Sequence, residues 1–202
     1  MHLIKLHDLS FQPFISEQEL SKIVDTLVQE VRSDLDKNEI PLFVSILNGA
    51  FLFTADFIRR YEPLCEISFV KLSSYQGTIS SGTVDELIGI TEDLTGRTIV
   101  ILEDIIDTGT TLEKIYNSFR DKNVKQFKIA TLFFKPSMYK KQLPIDYIGK
   151  KIDDTFIVGY GLDYNGLGRN LPSVYQLATK ENQMELPVNR NFDSLENEPK
   201  ND

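Results

Sequence analysis

The stretch Ile-Val-Ile-Leu-Glu-Asp-Ile-Ile-Asp-Thr-Gly-Thr-Thr, residues 99–111, is the most informative part of the chain for its architecture. Its apolar half predicts a strand over Thr98–Leu102, with two adjacent carboxylates, Glu103 and Asp104, at the carboxyl end. A polar turn follows, and a helix is expected over about 111–122. A buried strand that passes through a short turn into a helix is the unit from which parallel sheets are built.

The turn after this strand has the chemistry of an anion site. It carries a third carboxylate, Asp107, and then the run Thr-Gly-Thr-Thr at a helix start, where backbone N–H groups and the positive end of the helix dipole are available. Gly109 allows the backbone to approach an anion closely. Further donors are the hydroxyl groups of Thr108, Thr110 and Thr111. Carboxylate acceptors for a diol or a hard cation, beside donors for a monophosphate, indicate a sugar phosphate.

A simpler interpretation of the same run stays open at this point. In it, Thr111 is an N-cap, Gly109 is a turn residue, and the acids form a solvated loop. Two other motifs fit worse. The Walker pattern G-x-x-x-x-G-K-[ST] does not occur in the chain, and the aliphatic pair Ile105-Ile106 between the acids departs from the calcium-loop pattern.

Periodicity elsewhere predicts helices and strands in alternation. Ser16 and Glu19 form a capping-box pair at the start of an amphipathic helix over 16–36. The other predicted elements are a strand over 42–47, a helix over 50–60, and strands over 66–72, 127–134, 145–150 and 155–160. Continuous apolar strands that alternate with helices indicate an α/β fold with a mainly parallel sheet flanked by helices. The polar stretch 73–85 is long for a connection, which favours a functional or mobile loop.

Composition excludes several classes of protein. The 202 residues carry a formal net charge of −8, which argues against a nucleic-acid partner. The single cysteine, Cys65, excludes an internal disulfide, and neither a signal peptide nor an apolar run of about 18 residues is found. We therefore expect a cytoplasmic protein without a membrane partner. Six acidic and two basic residues give 181–202 a net charge of −4, and we expect this segment to be a flexible acidic tail.

The run Glu-Asp-Ile-Ile-Asp-Thr-Gly after an apolar strand resembles the phosphoribosyl pyrophosphate (PRPP) motif of type I phosphoribosyltransferases, in the version of their hypoxanthine-guanine branch. The resemblance extends over about residues 40–178. Further matches, in family order, are Leu-Asn-Gly-Ala at 47–50, Ser74-Tyr75, Lys135, the segment 154–165 and Arg169. The resemblance implies the type I phosphoribosyltransferase fold, with one domain over 1–180. It also implies a small hood formed by N-terminal residues and about 145–178, and a flexible active-site loop.

On the PRPP side, the resemblance implies three groups of residues. The ribose and its 5′-phosphate are expected on the acidic strand end and the loop after it, at Glu103, Asp104, Thr108, Gly109, Thr110 and Thr111. The pyrophosphate is expected on Asn48, Gly49 and Arg169. Many family members carry lysine at the position of Asn48, so a side-chain cation is missing there. Ser74 and Tyr75 belong to a flexible loop that closes over the site and excludes water.

On the purine side, the resemblance implies that Lys135 donates to the 6-oxo group and that Phe156 stacks on the base. The backbone of Ile157, with Asp163 nearby, contacts the opposite edge of the ring. Asp107 is the expected catalytic base at the imidazole ring. Mg²⁺ is the expected cofactor, because hard oxygen ligands suit this ion and clusters of histidine and cysteine are absent from the sequence. Its expected ligands are Glu103, Asp104 and Asp163.

The implied reaction belongs to purine salvage. It transfers the 5-phosphoribosyl group from PRPP to hypoxanthine or guanine, and yields inosine or guanosine 5′-monophosphate (IMP or GMP) and pyrophosphate. Members of this branch are commonly homodimers or homotetramers, so self-association is expected. Two alternatives stay open: an enzyme that prefers xanthine and, less favoured, a regulator that senses PRPP. A carboxylate at Asp163 favours the amine of guanine over the second carbonyl of xanthine, and the complete acidic set with Lys135 argues against a sensor.

Overall fold

The computed structural model describes residues 3–72 and 86–179, which form ten strands and three helices. In chain order they are β1 (Ile4–Leu6), β2 (Leu9–Ile15), α1 (Glu17–Asp34), β3 (Leu42–Ile46), α2 (Phe51–Arg60), β4 (Glu66–Leu72), β5 (Glu86–Ile88), β6 (Thr98–Ile106), α3 (Thr110–Arg120), β7 (Gln126–Phe134), β8 (Tyr147–Lys151), β9 (Ile157–Val158) and β10 (Val174–Leu177). The polar loop 73–85, with Ser74 and Tyr75, and the acidic tail 181–202 lie outside the described residues. Within the described ranges, no helix has the length and apolar character needed to cross a bilayer.

A six-stranded sheet in the order β5-β4-β3-β6-β7-β8 forms the centre of the molecule. The four pairs from β4 to β8 are parallel, and β5 at the edge pairs antiparallel with β4. The central strand β3 is buried along its whole length, as expected of an apolar strand covered on both faces. The mainly parallel α/β sheet that the sequence predicts is confirmed.

Helices cover both faces of this main sheet. The side-chain oxygen of Ser16 accepts a hydrogen bond from the Glu19 backbone N–H at 3.2 Å, so the predicted start of α1 is confirmed. The buried face of α1 consists of Leu20, Val24, Leu27, Val28 and Val31. Together with α2 it packs on the face of the sheet that carries Phe43. Helix α3 packs on the other face, with Val44 of the same strand.

Strand β6 is longer than predicted. Its ladder with β7 continues to the pair Ile106–Phe134, so the strand includes Glu103 and Asp104. The predicted end at Leu102 is therefore wrong, because backbone pairing with a neighbouring strand outweighs the low strand preference of the two acids. As a result, both carboxylates are held by a central strand of the sheet and not by a turn.

A second sheet, in the order β1-β2-β10-β9, forms the hood, and all its pairs are antiparallel. Periodicity does not predict β1, β2 or β10, because they are short or carry a proline, Pro13. The sequence assigns β8 to the hood, which is wrong, since β8 pairs in parallel with β7 at the edge of the main sheet. There Tyr147 is buried and its hydroxyl donates to Asp34 of α1 at 2.5 Å.

Candidate active site

The carboxyl ends of β3, β6 and β7 bring most of the predicted site residues to one edge of the main sheet, where ligands of such sheets bind. Two neighbouring cavities open there. The acidic cavity, of about 270 Å³, is lined by residues that include Leu47, Gly49, Glu103, Asp104, Thr111 and Lys114. The lysine cavity, of about 170 Å³, is lined by residues that include Asp104, Asp107, Lys135, Phe156, Asp163 and Arg169. Asp104 lines both cavities, which makes them two parts of one site.

The turn after β3, residues 47–50, lies directly against the acidic end of β6. A Cβ atom on Gly49 would stand 1.7 Å from Oδ2 of Asp104, so a side chain has no room at this position. The Leu47–Asn48 peptide bond is cis. Asn48 is exposed and lies outside both cavities. Of the pair predicted from the sequence, the structure therefore places Gly49 in the acidic cavity and leaves the Asn48 side chain outside it.

The loop after β6 enters α3 without a side-chain cap. Gly109 is the N-cap residue, with φ of +79°, and α3 begins at Thr110. The hydroxyl oxygens of Thr108 and Thr110 lie 3.1 Å apart. The interpretation in which Thr111 is the N-cap is therefore wrong, because that residue is already in the helix. The first turn of α3, with its N–H groups and threonine hydroxyls, can receive an anion.

Burial governs the protonation of the two carboxylates on β6. Desolvation, reinforced by the charge of Asp104, raises the pKa of Glu103 well above its ordinary value. Desolvation also raises the pKa of Asp104 to about 6, although the Ile105 N–H and the Arg169 guanidinium act in the opposite direction. Oε2 of Glu103 is buried and has no hydrogen-bond partner among the described residues. A buried oxygen without a hydrogen bond raises the free energy of the ligand-free fold. The two carboxylates therefore suit a ligand that brings hydroxyl donors or a cation.

Lys135 follows β7 and is buried between two carboxylates. Its Nζ lies 3.3 Å from Oδ2 of Asp107 and 3.1 Å from Oδ1 of Asp154. Oδ1 of Asp107 is buried and has no partner within the part of the chain that the structure describes. One carboxylate thus has an ion-paired oxygen and an unoccupied acceptor. This arrangement suits a proton acceptor for a ligand in the lysine cavity.

Phe156 and Ile157 form the hood side of the lysine cavity. Ile157 is buried in β9, whereas Phe156 remains 43% exposed. The ring centroid of Phe156 lies 6.0 Å from that of Phe11 and 5.8 Å from that of Tyr164. These rings support Phe156 within the hood, and its exposed surface is available to a planar ligand.

Asp163 and Arg169 form an ion pair at the same cavity. Nη2 of Arg169 lies 2.5 Å from Oδ1 of Asp163, and Nη1 donates to the carbonyl of Gly161 at 2.7 Å. A Cβ on Gly161 would stand 2.1 Å from the carbonyl oxygen of Gly49. The hood turn that presents Arg169 therefore packs directly on the turn after β3. The two turns thus line one site.

The carboxylates available to a metal ion are those of Glu103, Asp104 and Asp163. Asp163 is close enough to act on the pKa of Asp104 through its charge. Across residues 3–72 and 86–179, no three or more His, Cys, Asp or Glu side chains converge as a metal site. Mg²⁺ is usually held by one or two carboxylates together with water and substrate phosphates. The donor set therefore fits an ion that binds together with a phosphorylated ligand.

Two residues of the site are given no role by the sequence analysis. Lys114 lines the acidic cavity from α3. Its spacing of one helical turn from Thr111 is the signal that could have located it. Asp154 pairs with Lys135, and no local pattern links two residues that are 19 positions apart.

The profile of a protein family described as the phosphoribosyl transferase domain matches residues 15–165. The hypoxanthine-guanine phosphoribosyltransferase of Bacillus subtilis (strain 168) is 40% identical over 169 residues, which cover 83% of this chain and 93% of that one. The protein of the same name from Aquifex aeolicus (strain VF5) is 34% identical over 164 residues, which cover 81% and 92%. The similarity therefore extends over most of the chain and is not limited to a single motif.

Solved structures agree with these relatives. The hypoxanthine-guanine phosphoribosyltransferase of Bacillus anthracis, with a HEPES molecule in its active site, gives a TM-score of 0.76 at 36% identity over 83% of this chain and 98% of that chain. The hypoxanthine phosphoribosyltransferase of Staphylococcus aureus gives 0.76 at 35% identity over 83% and 91%. Sheet order, site geometry and relatives agree, and the chain belongs to the phosphoribosyltransferase family, in its hypoxanthine-guanine group.

Proposed function

We propose that this protein transfers the 5-phosphoribosyl group from PRPP to hypoxanthine or guanine, with IMP or GMP and pyrophosphate as products. The observation that carries the proposal is that the acidic cavity and the lysine cavity share Asp104. A sugar phosphate in the first cavity and a planar base in the second would meet at this residue, beside Asp107. The bacterial relatives are named for the same activity, which supports the proposal.

The acidic cavity and the loop after β6 suit PRPP. Ribose hydroxyls can donate to Glu103 and Asp104, whose burial favours ligands that bring donors. The proposed 5′-phosphate donors are the first-turn N–H groups of α3 and the side chains or backbone of Thr108, Gly109, Thr110 and Thr111. We assign the pyrophosphate to the backbone at Gly49 and to Arg169, which would release Asp163 as it binds the anion. Asn48 can contribute only from the rim of this region, because its side chain is exposed.

The lysine cavity suits a 6-oxopurine. Lys135 provides an ammonium donor for the 6-oxo group, and the exposed surface of Phe156 provides a stacking partner. The opposite edge of the base is assigned to the Ile157 backbone and Asp163. A carboxylate near the purine 2-position accepts from the amine of guanine but repels the second carbonyl of xanthine, so guanine is favoured over xanthine.

The proposed mechanism uses Asp107 as the base. N9 of the purine attacks C1′ of the ribose while the bond to pyrophosphate breaks. The buried, unpartnered Oδ1 of Asp107 can accept the proton of the imidazole ring, while Oδ2 stays beside Lys135.

We propose Mg²⁺ as the cofactor. When bound, this ion would neutralise the developing charge on the pyrophosphate leaving group. Glu103, Asp104 and Asp163 would hold it, directly or through water. The unpartnered Oε2 of Glu103 and the raised pKa of Asp104 support a cation at this position.

We also propose that the protein forms a homodimer or homotetramer through an open face of the main sheet. Ile67 and Phe69 alternate along β4 with the buried Ser68 and Val70, and they are 40% and 39% exposed. Val70 belongs to the core on the α3 side, so Ile67 and Phe69 lie on the opposite face. Neighbouring exposed apolar side chains of this kind are typical of protein interfaces.

A spectrophotometric assay with PRPP, Mg²⁺ and each of hypoxanthine, guanine, xanthine and adenine tests the proposed activity. We expect turnover with hypoxanthine and guanine, much slower turnover with xanthine and adenine, and loss of turnover when EDTA removes the metal. Faster turnover with xanthine would overturn the proposed base specificity. No product from any of the four bases would overturn the activity itself.

A further inference from the structure

We propose that Asp154 is a positioning residue for the reaction, which holds Lys135 in the orientation that meets the purine and keeps Asp107 available as the proton acceptor. This inference rests on the proposed function. It concerns a residue to which the family resemblance assigns no role, although it begins the matching segment 154–165, and which lines neither cavity.

The geometry places the lysine between two acids, Asp107 and Asp154, whose side chains are 43% and 53% exposed. Only 7% of the Lys135 side chain is exposed, and its Nζ lies 3.1 Å from Asp154 and 3.3 Å from Asp107. These two acids are its salt-bridge partners among the described residues. Lys135 and Asp107 line the lysine cavity, whereas Asp154 reaches the lysine from outside it and is 53% exposed. Asp154 is therefore placed to act on a bound base through the lysine.

The number of donors on the lysine explains why a second acid is useful. An ammonium group has three N–H donors and no acceptor. One donor is used on each of Asp154 and Asp107, which leaves one for a carbonyl oxygen in the lysine cavity. Without Asp154, the whole ammonium charge would pair with Asp107. That pair would draw the lysine toward the loop after β6, away from a carbonyl oxygen in the lysine cavity, and would engage the Asp107 carboxylate that is needed for the base.

The backbone around Asp154 is fixed by the hood. The N–H of Thr155 donates to the carbonyl of Asp153 at 2.8 Å, and the N–H of Leu177 donates to the carbonyl of Phe156 at 2.8 Å. The first bond closes a tight turn around Asp154, and the second ties the chain to β10 two residues after it. The lysine, in contrast, follows a strand of the main sheet. The ion pair therefore joins the main sheet to the hood segment that carries the proposed stacking ring.

Kinetics of Asp154→Asn, Asp154→Glu and the matched control Asp153→Asn test this role. In Asp154→Asn we expect KM for hypoxanthine and guanine to rise about fivefold to tenfold and kcat to fall by a similar factor, with KM for PRPP changed less than about twofold. Glutamate keeps the charge and should restore most of the activity. Asp153 is exposed and forms no salt bridge in the described part of the chain, so Asp153→Asn should behave as the parent protein.

Several outcomes would overturn the inference. Unchanged kinetics in Asp154→Asn would do so, and so would an equal rise in KM for PRPP or an equal loss of activity in Asp153→Asn. Calorimetric binding of IMP provides a second measurement, in which Asp154→Asn should bind more weakly than Asp154→Glu. If the parent protein turns over none of the bases, the proposed function fails. If the parent is active and Asp154→Asn is unaffected, only the role of Asp154 fails.

Discussion

Asp104 and the Oε2 atom of the half-buried Glu103 are buried before any ligand binds, and this arrangement lowers the stability of the protein. Burial raises the pKa of Asp104 from the ordinary 3.8 to about 6, and it raises that of Glu103 well above its ordinary value. Each pKa unit corresponds to about 1.4 kcal/mol of preference for the protonated carboxyl. A ligand that supplies hydroxyl donors or a cation relieves this unfavourable state, so affinity is gained from the same burial that weakens the ligand-free fold.

Asp104→Asn should therefore stabilise the ligand-free protein at neutral pH. Between about pH 4 and pH 6 the unfolded chain has lost the Asp104 proton while the folded chain retains it, so the stability of the parent falls as pH rises through this window and stays lowered above it. Asparagine removes this effect, which is worth about 2 to 3 kcal/mol at pH values above both pKa values. Urea unfolding in EDTA, at pH values from about 4 to about 8, measures the difference in the free energy of unfolding between variant and parent.

The difference between variant and parent should be largest near pH 8 and should shrink as the pH falls toward 4. A parent protein that is as stable as the variant at about pH 8 would contradict the argument from burial. The variant should also show weaker binding of PRPP with Mg²⁺, because it has lost a charged acceptor in the acidic cavity. This opposite effect on stability and on binding separates a functional carboxylate from a structural one.

Asp107→Asn should lower kcat by about 10²- to 10⁴-fold, the range for loss of a positioned general base. Asparagine can keep an oxygen near Lys135, but it cannot take a proton from the purine. KM for PRPP should change much less, because Asp107 lines the lysine cavity and not the acidic cavity. Steady-state kinetics with hypoxanthine and with guanine measure both quantities. A normal kcat with both bases would assign the proton to another group.

The sequence locates these acids but not their surroundings. Glu103, Asp104 and Asp107 are found because they are contiguous in one strand–loop–helix unit. The close contact of Asp104 with Gly49 depends on a turn from a different strand, and it creates the burial that shifts the pKa. Asp154 is missed for the same reason, because its partner is brought to it only by the fold. Local patterns carry no information on desolvation or on such distant contacts.

The loop between β6 and α3 is enclosed by the segment that follows β7. A Cβ on Gly109 would stand 2.4 Å from Cε2 of Tyr139 and 3.0 Å from Cγ of Lys141. Lys141 also pairs with Glu113 in the first turn of α3, at 2.6 Å. Two successive connections of the main sheet therefore meet at the proposed phosphate loop, and Gly109 is needed both for its backbone conformation and for the space it leaves.

Gly109→Ala should destabilise the protein and raise KM for PRPP, whereas Gly96→Ala provides the matched control. Both glycines have positive φ, +79° and +69°, so alanine costs about 1 kcal/mol at each through backbone strain. Nothing lies within 4 Å of a Cβ on Gly96, so only Gly109→Ala adds a clash. Urea unfolding and PRPP kinetics measure the two effects. Equal results for both variants would mean that the contact with Tyr139 is unimportant.

Elements with their own apolar periodicity are predicted well, and those that depend on distant partners are not. Strand β4 over 66–72 and helix α1 agree with the sequence because one amphipathic or apolar pattern defines each of them. Strand β1 pairs only with β2 in a short hairpin, and β2 in turn pairs with β10 across most of the chain length. The longer course of β6 likewise reflects its ladder with β7. In the hood strands and in β6, pairing with strands that are distant in sequence determines the extent of the strand more than local residue preference does.

In the whole molecule, two sheets meet at the site, and the helices leave one part of the larger sheet, at β4, uncovered. The hood contacts the main sheet through Gly161 and Gly49 and through the pair of Lys135 with Asp154. On the α1 and α2 side, helices cover the centre of the main sheet but leave Ile67 and Phe69 of β4 partly exposed. A second copy of the chain on this face would bury apolar surface that a monomer leaves in water.

Phe69→Lys should therefore convert the oligomer to a smaller species. In a symmetric dimer the change acts twice. Because Phe69 is only 39% exposed in the monomer, loss of its contacts in both copies weakens association by about 1 to 2 kcal/mol, and burial of the lysine charge adds to this. Sedimentation velocity over a range of protein concentrations measures the shift. Leu167→Lys is the control, because Leu167 is 49% exposed but lies on the hood, and it should leave the mass unchanged. If Phe69→Lys keeps the parent mass while Leu167→Lys dissociates, the interface lies on the hood instead of on β4.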